Sequence, residues 1–503
     1  MKDLRVLTQT QNILNKILKF SQKKNLRLYI VGGFLRDMAL ARQRPNPDID
    51  FAINKNAIKF AACLAKQLHA GFVVLDKENG CARLVKKIAN TTYTLDFTDF
   101  RGKDLEQDLK KRDFTINSLA AELKSFLSVY KNFIKAFSAG KSSRSLFKLF
   151  AHTIIDPCQG MKDLNLKVVR LVSLKAYDDD PLRILRAFSL SCILGFKLKA
   201  PALELAEKKR NKLKNVSFER IREELFKILT SPNSYGVFVQ LDKKGLLELI
   251  IPEIKVMYNL NQGPYHHLDV WQHSLETLKQ LEKVIKYSLR NSQIRDFLYT
   301  QISSGRRRLE LIKIAALLHD IGKPATLRIE KKKISFHGHE HVGTYMSADI
   351  CRRLKLSNSE ISALKKMILY HLRPGYLADQ TVITRRAKFR FFRDAADEAI
   401  SVLLICLADL RSTRGDLITK RSLLHHQRVV RRLMKEYYKK KKEIKPVRLI
   451  NGDDLIRHFK LQPSPLIGQI LSEIEEVRAI GKIKHKKQAL SLAREFIKTK
   501  SPS

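Results

Sequence analysis

A glycine pair followed by two closely spaced carboxylates constrains this chain more than any other feature. Residues 32–50 contain Gly32-Gly33-Phe34-Leu35-Arg36-Asp37 and then, after ten residues, Asp48-Ile49-Asp50. The apolar run Leu28-Tyr29-Ile30-Val31 leads into the glycines and reads as a strand. A Gly-Gly turn lets backbone amides approach a triphosphate closely. Carboxylates at i and i+2 of a strand point to one face. Acidic groups held that close suit Mg²⁺, and two such ions can clamp an in-line phosphoryl displacement. Either half alone would be an ordinary turn or a solvated acidic pair. Their order, with Arg36-Asp37 between them, predicts a nucleotidyl-transfer site.

The chain has 503 residues, too many for one core, so several domains are expected. Hydrophobic residues make up 44% and charged ones 29%, a globular composition and not a disordered one. Lys and Arg number 96 against 50 Asp and Glu, a formal net charge of +46. That surplus suits a polyanionic partner; a uniformly basic proteome would give the same imbalance. Cysteines 63, 81, 158, 192, 351 and 406 form no CxxC pair, which argues against a zinc ribbon or a disulfide framework and for a reducing compartment. No run of 18 apolar residues is present, so no transmembrane helix and no membrane partner are expected. The N-terminal residues lack the pattern of a secretory signal. They read as an amphipathic helix carrying Leu7, Ile13, Leu14, Ile17 and Leu18 on one face. Cytoplasm is the expected location.

Residues 1 to about 125 mix short strands with helices. Leu28–Val31, Ile49–Ile53, Gly71–Leu75 and Thr92–Phe97 are the expected strands. Residues 124–152 are rich in Lys, Ser and Phe, carry no motif and read as an insertion. From about 160 onward the period is helical, as in Leu182–Leu194 and Phe218–Leu229. Breaks fall near 252–265 and at the basic run Lys439–Lys442 followed by Pro446. The last 55 residues read as a compact helical tail.

Further polar motifs extend the first one. Asp96, in Leu95-Asp96-Phe97, is a candidate third carboxylate beside Asp48 and Asp50, for deprotonating an attacking hydroxyl or supporting a metal. In Lys111-Arg112-Asp113-Phe114-Thr115-Ile116-Asn117, Arg112 can pair with phosphate and Asn117 can hold a ribose or a phosphate. Asp179-Asp180-Pro181-Leu182-Arg183 opens a helix, with the aspartates as caps and Pro181 in the first turn. Asp180 and Arg183 fall one turn apart, an acceptor and a donor able to read the edge of a base as a protein template. Ser217 to Glu224 reads as a supporting helix with internal ion pairs.

This order of motifs resembles class II tRNA nucleotidyltransferases and bacterial poly(A) polymerases, whose pattern is GGxxRD with a downstream DxD, RRDFTINA, EDxxR and ERI. The matching residues are Gly32 to Asp37, Asp48 and Asp50, Lys111 to Ser118, Asp179 to Arg183 and Glu219-Arg220-Ile221. Asp156-Pro157, Gly160, Asp163-Leu164 and Arg170 match the intervening DP…G…DL…IR stretch, and Pro463 to Gly468 resembles the family's PGPxIG tail. The resemblance implies that Asp48 and Asp50 bind catalytic Mg²⁺. It implies that Gly32, Gly33, Arg36 and Asp37 hold the triphosphate. Arg112 and Asn117 would contact the incoming nucleotide, Asp180 and Arg183 would select CTP or ATP, and Arg186 is a further candidate nucleotide-binding residue. Asp179, Lys111, Ser118 and Ser464 depart from the family's Glu, Arg, Ala and Gly, and none of these changes removes a group the chemistry needs.

A second constellation lies between residues 266 and 409. His273, the adjacent His319-Asp320, His339, His371 and Asp409 are imidazoles and carboxylates of the kind that bind divalent transition metals. The set resembles the HD phosphohydrolase superfamily, whose domain some bacterial tRNA nucleotidyltransferases carry. Lys323 is placed to steady a substrate phosphate, and His337 and His341 crowd the same loop unranked.

The expected fold is α+β: a polymerase-beta-like mixed-sheet head, then a mostly all-α body, neck and HD helical domain. The expected divisions are 1–123 head, 124–152 insertion, 153–252 neck and RNA-binding region, 253–438 HD-type domain, and 439–503 linker and tail. The expected function is template-independent addition of C, C and A from CTP and ATP to the 3′ end of tRNA. The alternatives are a poly(A) polymerase or a partial A-adding or CC-adding enzyme. From a second class, the alternative is an HD metal-dependent phosphohydrolase acting on RNA or nucleotide phosphates. The sequence does not fix the oligomeric state.

Overall fold

The computed structural model describes residues 2–303, 305–331, 333–439 and 449–500. Lys440–Lys442 and Pro446 of the expected linker lie outside them. The chain divides into two compact units, 1–217 and 218–503, the division falling within the segment expected as a neck.

The first unit is built on a six-stranded sheet of order β3-β4-β5-β2-β1-β6. Its strands are β1 (Tyr29–Val31), β2 (Asp48–Ile53), β3 (Gly71–Asp76), β4 (Cys81–Ile88), β5 (Thr91–Asp99) and β6 (Ala120–Glu122). β2 and β5 run parallel, and the other neighbours are antiparallel. Alternation on β2 sorts its residues by face. Ile49, Phe51 and Ile53 are buried on one side, where Phe51 stacks on Phe97 at 4.7 Å and Phe97 meets Phe60 of helix Ala57–Leu68. Asp48, Asp50 and Ala52 share the other side, with Ala52 packed against Val31, Leu109 and Ala120.

The four expected strands form; β1 starts one residue later than expected, at Tyr29, and the other three are longer by one to three residues. The N-terminal helix is Lys2–Lys23, with Leu7, Ile13, Leu14 and Ile17 buried. The stretch 124–152, expected as an insertion, folds as helices Leu123–Ser138 and Ser143–Phe150. Phe126, Tyr130 and Phe133 are buried, and Phe150 packs on both phenylalanines, so the stretch is part of the head's own core. Its Phe and Tyr positions at helical spacing are what the missing motif concealed.

The second unit is helical. Helix Val270–Ser288 packs on Arg308–Leu318 and Ala399–Ser412, and His339–Arg353 packs on Asn358–Leu369. Asp269 caps the first of these, and a Ser357/Glu360 capping box starts the last. Buried Lys313 donates to Glu282 at 3.0 Å and to the Ser231 carbonyl at 2.5 Å, so its charge is paired and bonded. Residues 449–500 form three helices around a core of their own, with Leu455, Ile470, Ile474 and Ala489 buried.

Candidate functional site

In the head, the strand β1 ends at Val31, whose register partner on β2 is Asp50. Gly32 follows with φ +78°, a conformation that favours glycine. A Cβ there would stand 3.2 Å from Asp50 Oδ2 and 3.3 Å from an Arg112 guanidinium nitrogen. The turn is therefore pressed close to the carboxylate. Asp50 is paired across β2 and β5 with Asp96, and Asp48 lies two residues back on the same face. The structure thus brings all three expected carboxylates together, Asp48 exposed and Asp50 half-buried. Burial pushes the Asp50 carboxyl up to about 6; Asp48 and Asp96 push the same way, while Arg112 and Arg186 oppose. This is a cluster of hard oxygen donors whose mutual repulsion a cation would relieve, the donor set Mg²⁺ requires.

Sequence reading missed Arg83. It faces Asp96 across β4 and β5 and donates to both carboxylate oxygens, at 2.8 and 2.7 Å. Asp96 is thereby held as a bidentate ion-pair acceptor. Only the strand register reveals this pairing.

The remaining head residues form a bonded frame. Arg36 donates to Asp37 Oδ1 at 2.9 and 2.7 Å and to Asn117 Oδ1 at 2.6 Å. Burial lowers the Arg36 pKa, and Asp37 opposes that shift. Asn117 donates to Asp113 at 3.1 Å, Arg186 pairs with Asp113 at 3.1 Å, and Arg112 pairs with Asp108 at 3.0 Å. A Cβ on Gly160 would fall 2.1 Å from the Thr115 carbonyl, and Asp163 accepts from Thr115 Oγ1 at 2.7 Å and from Arg170. The DP…G…DL…IR residues thus brace the turn that carries Asn117.

Asp180 takes the capping place the sequence reading gave it, whereas Arg183 is turned into the protein. Asp180 Oδ1 accepts from the Leu182 amide at 3.1 Å, as a cap. Asp179 ends a separate short helix, Ala176–Asp179. Arg183 is buried, and its guanidinium donates to the carbonyls of Lys111 at 3.2 Å and Ala176 at 3.4 Å. These two bonds engage two of the five guanidinium N–H donors.

In the second unit, the six expected residues converge from helix ends. His273 lies in the first turn of Val270–Ser288, His319-Asp320 follows Leu318, and His339 starts its helix. His371 follows Asn358–Leu369, and Asp409 lies near the end of Ala399–Ser412. Asp320 is the hub, with His319 Nε2 and His339 Nε2 at 3.2 Å, His273 Nε2 at 3.7 Å and His371 Nε2 at 3.8 Å. Asp409 Oδ1 lies 2.9 Å from His273 Nε2. Nε2 of His319, His339 and His371 is buried without a hydrogen-bond partner. Orphaned nitrogens converging on carboxylates fit a metal centre. Burial lowers the pKa of His273, and burial with His319 and His339 takes His371 down to about 3. Burial works against a charge on His319 too, but Asp320 and Asp409 outweigh it and its pKa is raised. Both carboxyls lie well below their usual range, because the imidazoles outweigh burial.

Lys323 is committed within this cluster, donating to Asp320 at 2.7 Å and to Gln262 at 2.6 Å. Two of its three N–H donors are thereby engaged. His337 and His341 are exposed, which separates them from buried His339. Gln262 and His266, whose ring meets His273 at 4.8 Å, were not anticipated. Loop residues carry no periodic signal.

The fold and site define a nucleotidyltransferase of the poly A polymerase head type. The family model described as Poly A polymerase head domain matches residues 28–170, the probable RNA and SrmB-binding site of polymerase A matches 195–257, and the HD domain matches 270–414. The chain thus carries a Poly A polymerase head domain and an HD domain, and over most of its length it is similar to tRNA nucleotidyltransferases. An A-adding tRNA nucleotidyltransferase of Deinococcus radiodurans is 28% identical over 90% of this chain and 92% of that protein. A CC-adding tRNA nucleotidyltransferase of Synechocystis is 26% identical over 93% and 94%, and a multifunctional CCA protein of Haemophilus influenzae is 28% identical over 78% and 86%. Among solved structures, the Thermotoga maritima CCA-adding enzyme complexed with tRNA has a TM-score of 0.59 at 20% identity, covering 97% of this chain and 95% of that one. A CCA-adding enzyme with ATP has a TM-score of 0.61 at 18% identity, covering 98% and 99%. At these identities the likeness establishes the fold.

Proposed function

We propose that this protein extends the 3′ end of tRNA without a nucleic-acid template, adding C, C and A from CTP and ATP. The observation that carries the reading is the carboxylate face: Asp48 and Asp50 on β2, with Asp96 in register on β5, under the close turn at Gly32. The tRNA 3′-hydroxyl attacks the α-phosphate in line, and pyrophosphate leaves. Mg²⁺ held by Asp48 and Asp50 would supply charge neutralisation at the attacking and leaving oxygens. Gly33, at the start of its helix, offers its backbone amide to the triphosphate, while the Gly32 amide is held by the Leu119 carbonyl at 3.0 Å; Arg112 and Arg186 border the carboxylates as its counter-charges. Arg36, Asp37 and Asn117 hold the frame. Asp180 and Arg183 choose the nucleotide, Arg183 through guanidinium N–H groups other than the two that bond the Lys111 and Ala176 carbonyls. The basic body grips the acceptor arm through phosphates and shape. Six free cysteines suit a cytoplasmic setting.

Two relatives named above are A-adding and CC-adding, and these names favour a partial enzyme as the second reading. A third reading concerns the other unit: its orphaned imidazole nitrogens support a divalent transition metal and a phosphohydrolase acting on RNA or nucleotide phosphates. One experiment separates these. tRNA lacking its CCA end is incubated with labelled CTP and ATP and the products are sized. Addition of C, C and A followed by a stop supports the main reading. A stop after CC, or A added only to a CC end, marks a partial enzyme, and an A ladder marks a poly(A) polymerase. Asp48→Ala removes incorporation and spares hydrolysis, and His319→Ala does the reverse. Incorporation that survives Asp48→Ala defeats the proposal.

A further inference from the structure

Three of the four imidazoles around Asp320 share one arrangement. Nδ1 of His319 meets the Ala316 carbonyl at 2.9 Å, that of His339 meets Phe336 at 2.8 Å, and that of His371 meets Ile368 at 2.6 Å. Such a bond fixes the tautomer and aims Nε2 inward. His273 breaks the pattern. Its Nε2 lies 2.9 Å from Asp409, but its Nδ1 is buried with no partner. Once Nε2 turns from Asp409 to a metal, the outer nitrogen of this ring holds no hydrogen bond that fixes its rotation.

One other ring lies against it. His266 meets His273 at a centroid distance of 4.8 Å and an angle of 89°. Its Nδ1 is likewise buried without a partner. Neutral imidazoles are complementary, since one nitrogen donates and another accepts. The side-chain torsion that turns a histidine ring is soft, so at this ring separation rotation can direct one nitrogen toward the other. The other charged groups facing His266 are Lys323, Asp320 and Asp409. Lys323 is engaged by Asp320 and Gln262, and Asp409 by His273 Nε2.

The backbone of His266 is fixed to the segment that follows Asp409. The Gly415 amide donates to the Tyr265 carbonyl at 2.9 Å, and a Cβ on Gly415 would fall 2.2 Å from the Pro264 oxygen. Gln262 closes the loop by donating to the Leu268 carbonyl at 3.1 Å. His267, the next residue, is exposed.

We infer that His266 is the positioning residue for His273, taking in the metal-loaded protein the outer hydrogen bond that a backbone carbonyl takes from each of the other three ligands. The inference rests on the reading of the cluster as a metal site. It is tested on the full chain carrying Asp48→Asn and Asp50→Asn, so that the head carboxylates do not contribute. Mn²⁺ and Ni²⁺ affinities of the chelator-stripped protein are measured by calorimetry. His266→Phe keeps a ring against His273 and removes both nitrogens; it weakens the tightest site about 10–100-fold. His266→Asn restores a hydrogen-bonding group near the Nδ1 position and binds within about threefold of the parent. Gly415→Ala displaces the loop and weakens binding without touching either imidazole. Thermal melts of the metal-free variants control for folding. Metal uptake indifferent to His266→Phe, or lost equally in His266→Asn, overturns the inference alone. A parent chain that takes up neither metal overturns the metal reading, and the inference with it.

Discussion

Asp50 shows what the head's carboxylate face costs the fold. Burial and two neighbouring aspartates raise its pKa from 3.8 to about 6. A carboxyl whose folded pKa is raised holds its proton longer folded than unfolded. Stability therefore falls as pH rises from about 4 to about 6, and at neutral pH the ionised group is a standing penalty. Asp50→Asn keeps the shape and removes the charge. In metal-free protein at pH 7 it should raise the melting temperature by about 2–4 °C, an effect on the order of 1 kcal/mol, while abolishing nucleotide incorporation. At pH 4 the gain should vanish. A lower melting temperature at pH 7 would show that Asp50 is stabilised by its neighbours and not strained by them. At this scale the sequence was legible where the chemistry is local: the glycine turn and Asp-x-Asp are contiguous. Arg83, Gln262 and His266 were not, because strand register and loop docking bring them to their partners.

Among the elements, periodic ones were legible and paired ones less so. The burial pattern of β2 and the helix Phe218–Leu229 follow directly from residue alternation and helical spacing. The strand β4 mixes Lys and Arg with apolar residues and was not anticipated; its partners on both sides make it a strand. Docking of the C-terminal helices was equally hidden. Helix Pro465–Ala479 meets helix Arg385–Ala395 through buried Glu476, which accepts from Arg386, Arg390 and Arg393 at 2.8 Å, while Glu473 accepts from Arg386. Burial would raise the Glu476 pKa, but the three guanidiniums outweigh it and take it from 4.5 down to about 2. A depressed carboxyl contributes stability that is present above 4.5 and lost as pH falls toward 2. Amide exchange in residues 465–479 should therefore accelerate across that window, ahead of the helices around Asp320. In Glu476→Gln it should already be fast at pH 7. Exchange that tracks global unfolding at every pH would show that the tail's apolar contacts, not the ion pairs, hold it.

For the whole molecule, composition announced a polyanionic partner but not where it binds, because a net charge has no position. The structure gives the charge a place on helix Lys420–Lys439 of the second unit. Val430, Leu433, Met434 and Tyr437 are buried, while Lys420, Arg421, Arg428, Arg431, Arg432, Lys435 and Lys439 are exposed. Glu436 is the helix's one carboxylate, and it is taken by Arg432 at 3.0 Å and Lys388 at 2.8 Å. Arg411 has its pKa lowered by burial and by Arg431 beside it, a sign that cations crowd here. A helix of 20 residues is about 30 Å long, enough to follow several phosphates of one strand. Each cation that meets a phosphate releases counterions, so affinity falls with salt by about 0.7–0.9 log unit per log unit of salt per contact. Replacing Arg428, Arg431 and Lys435 together by Ala should weaken tRNA binding and flatten that slope by about 2–3 units. The rate of CTP incorporation at saturating tRNA should stay unchanged, since none of the three lies in the head. The check is filter binding of labelled tRNA across a salt series, with single-turnover incorporation alongside. An unchanged slope would make this face ordinary solvated surface and move the tRNA grip to another part of the chain.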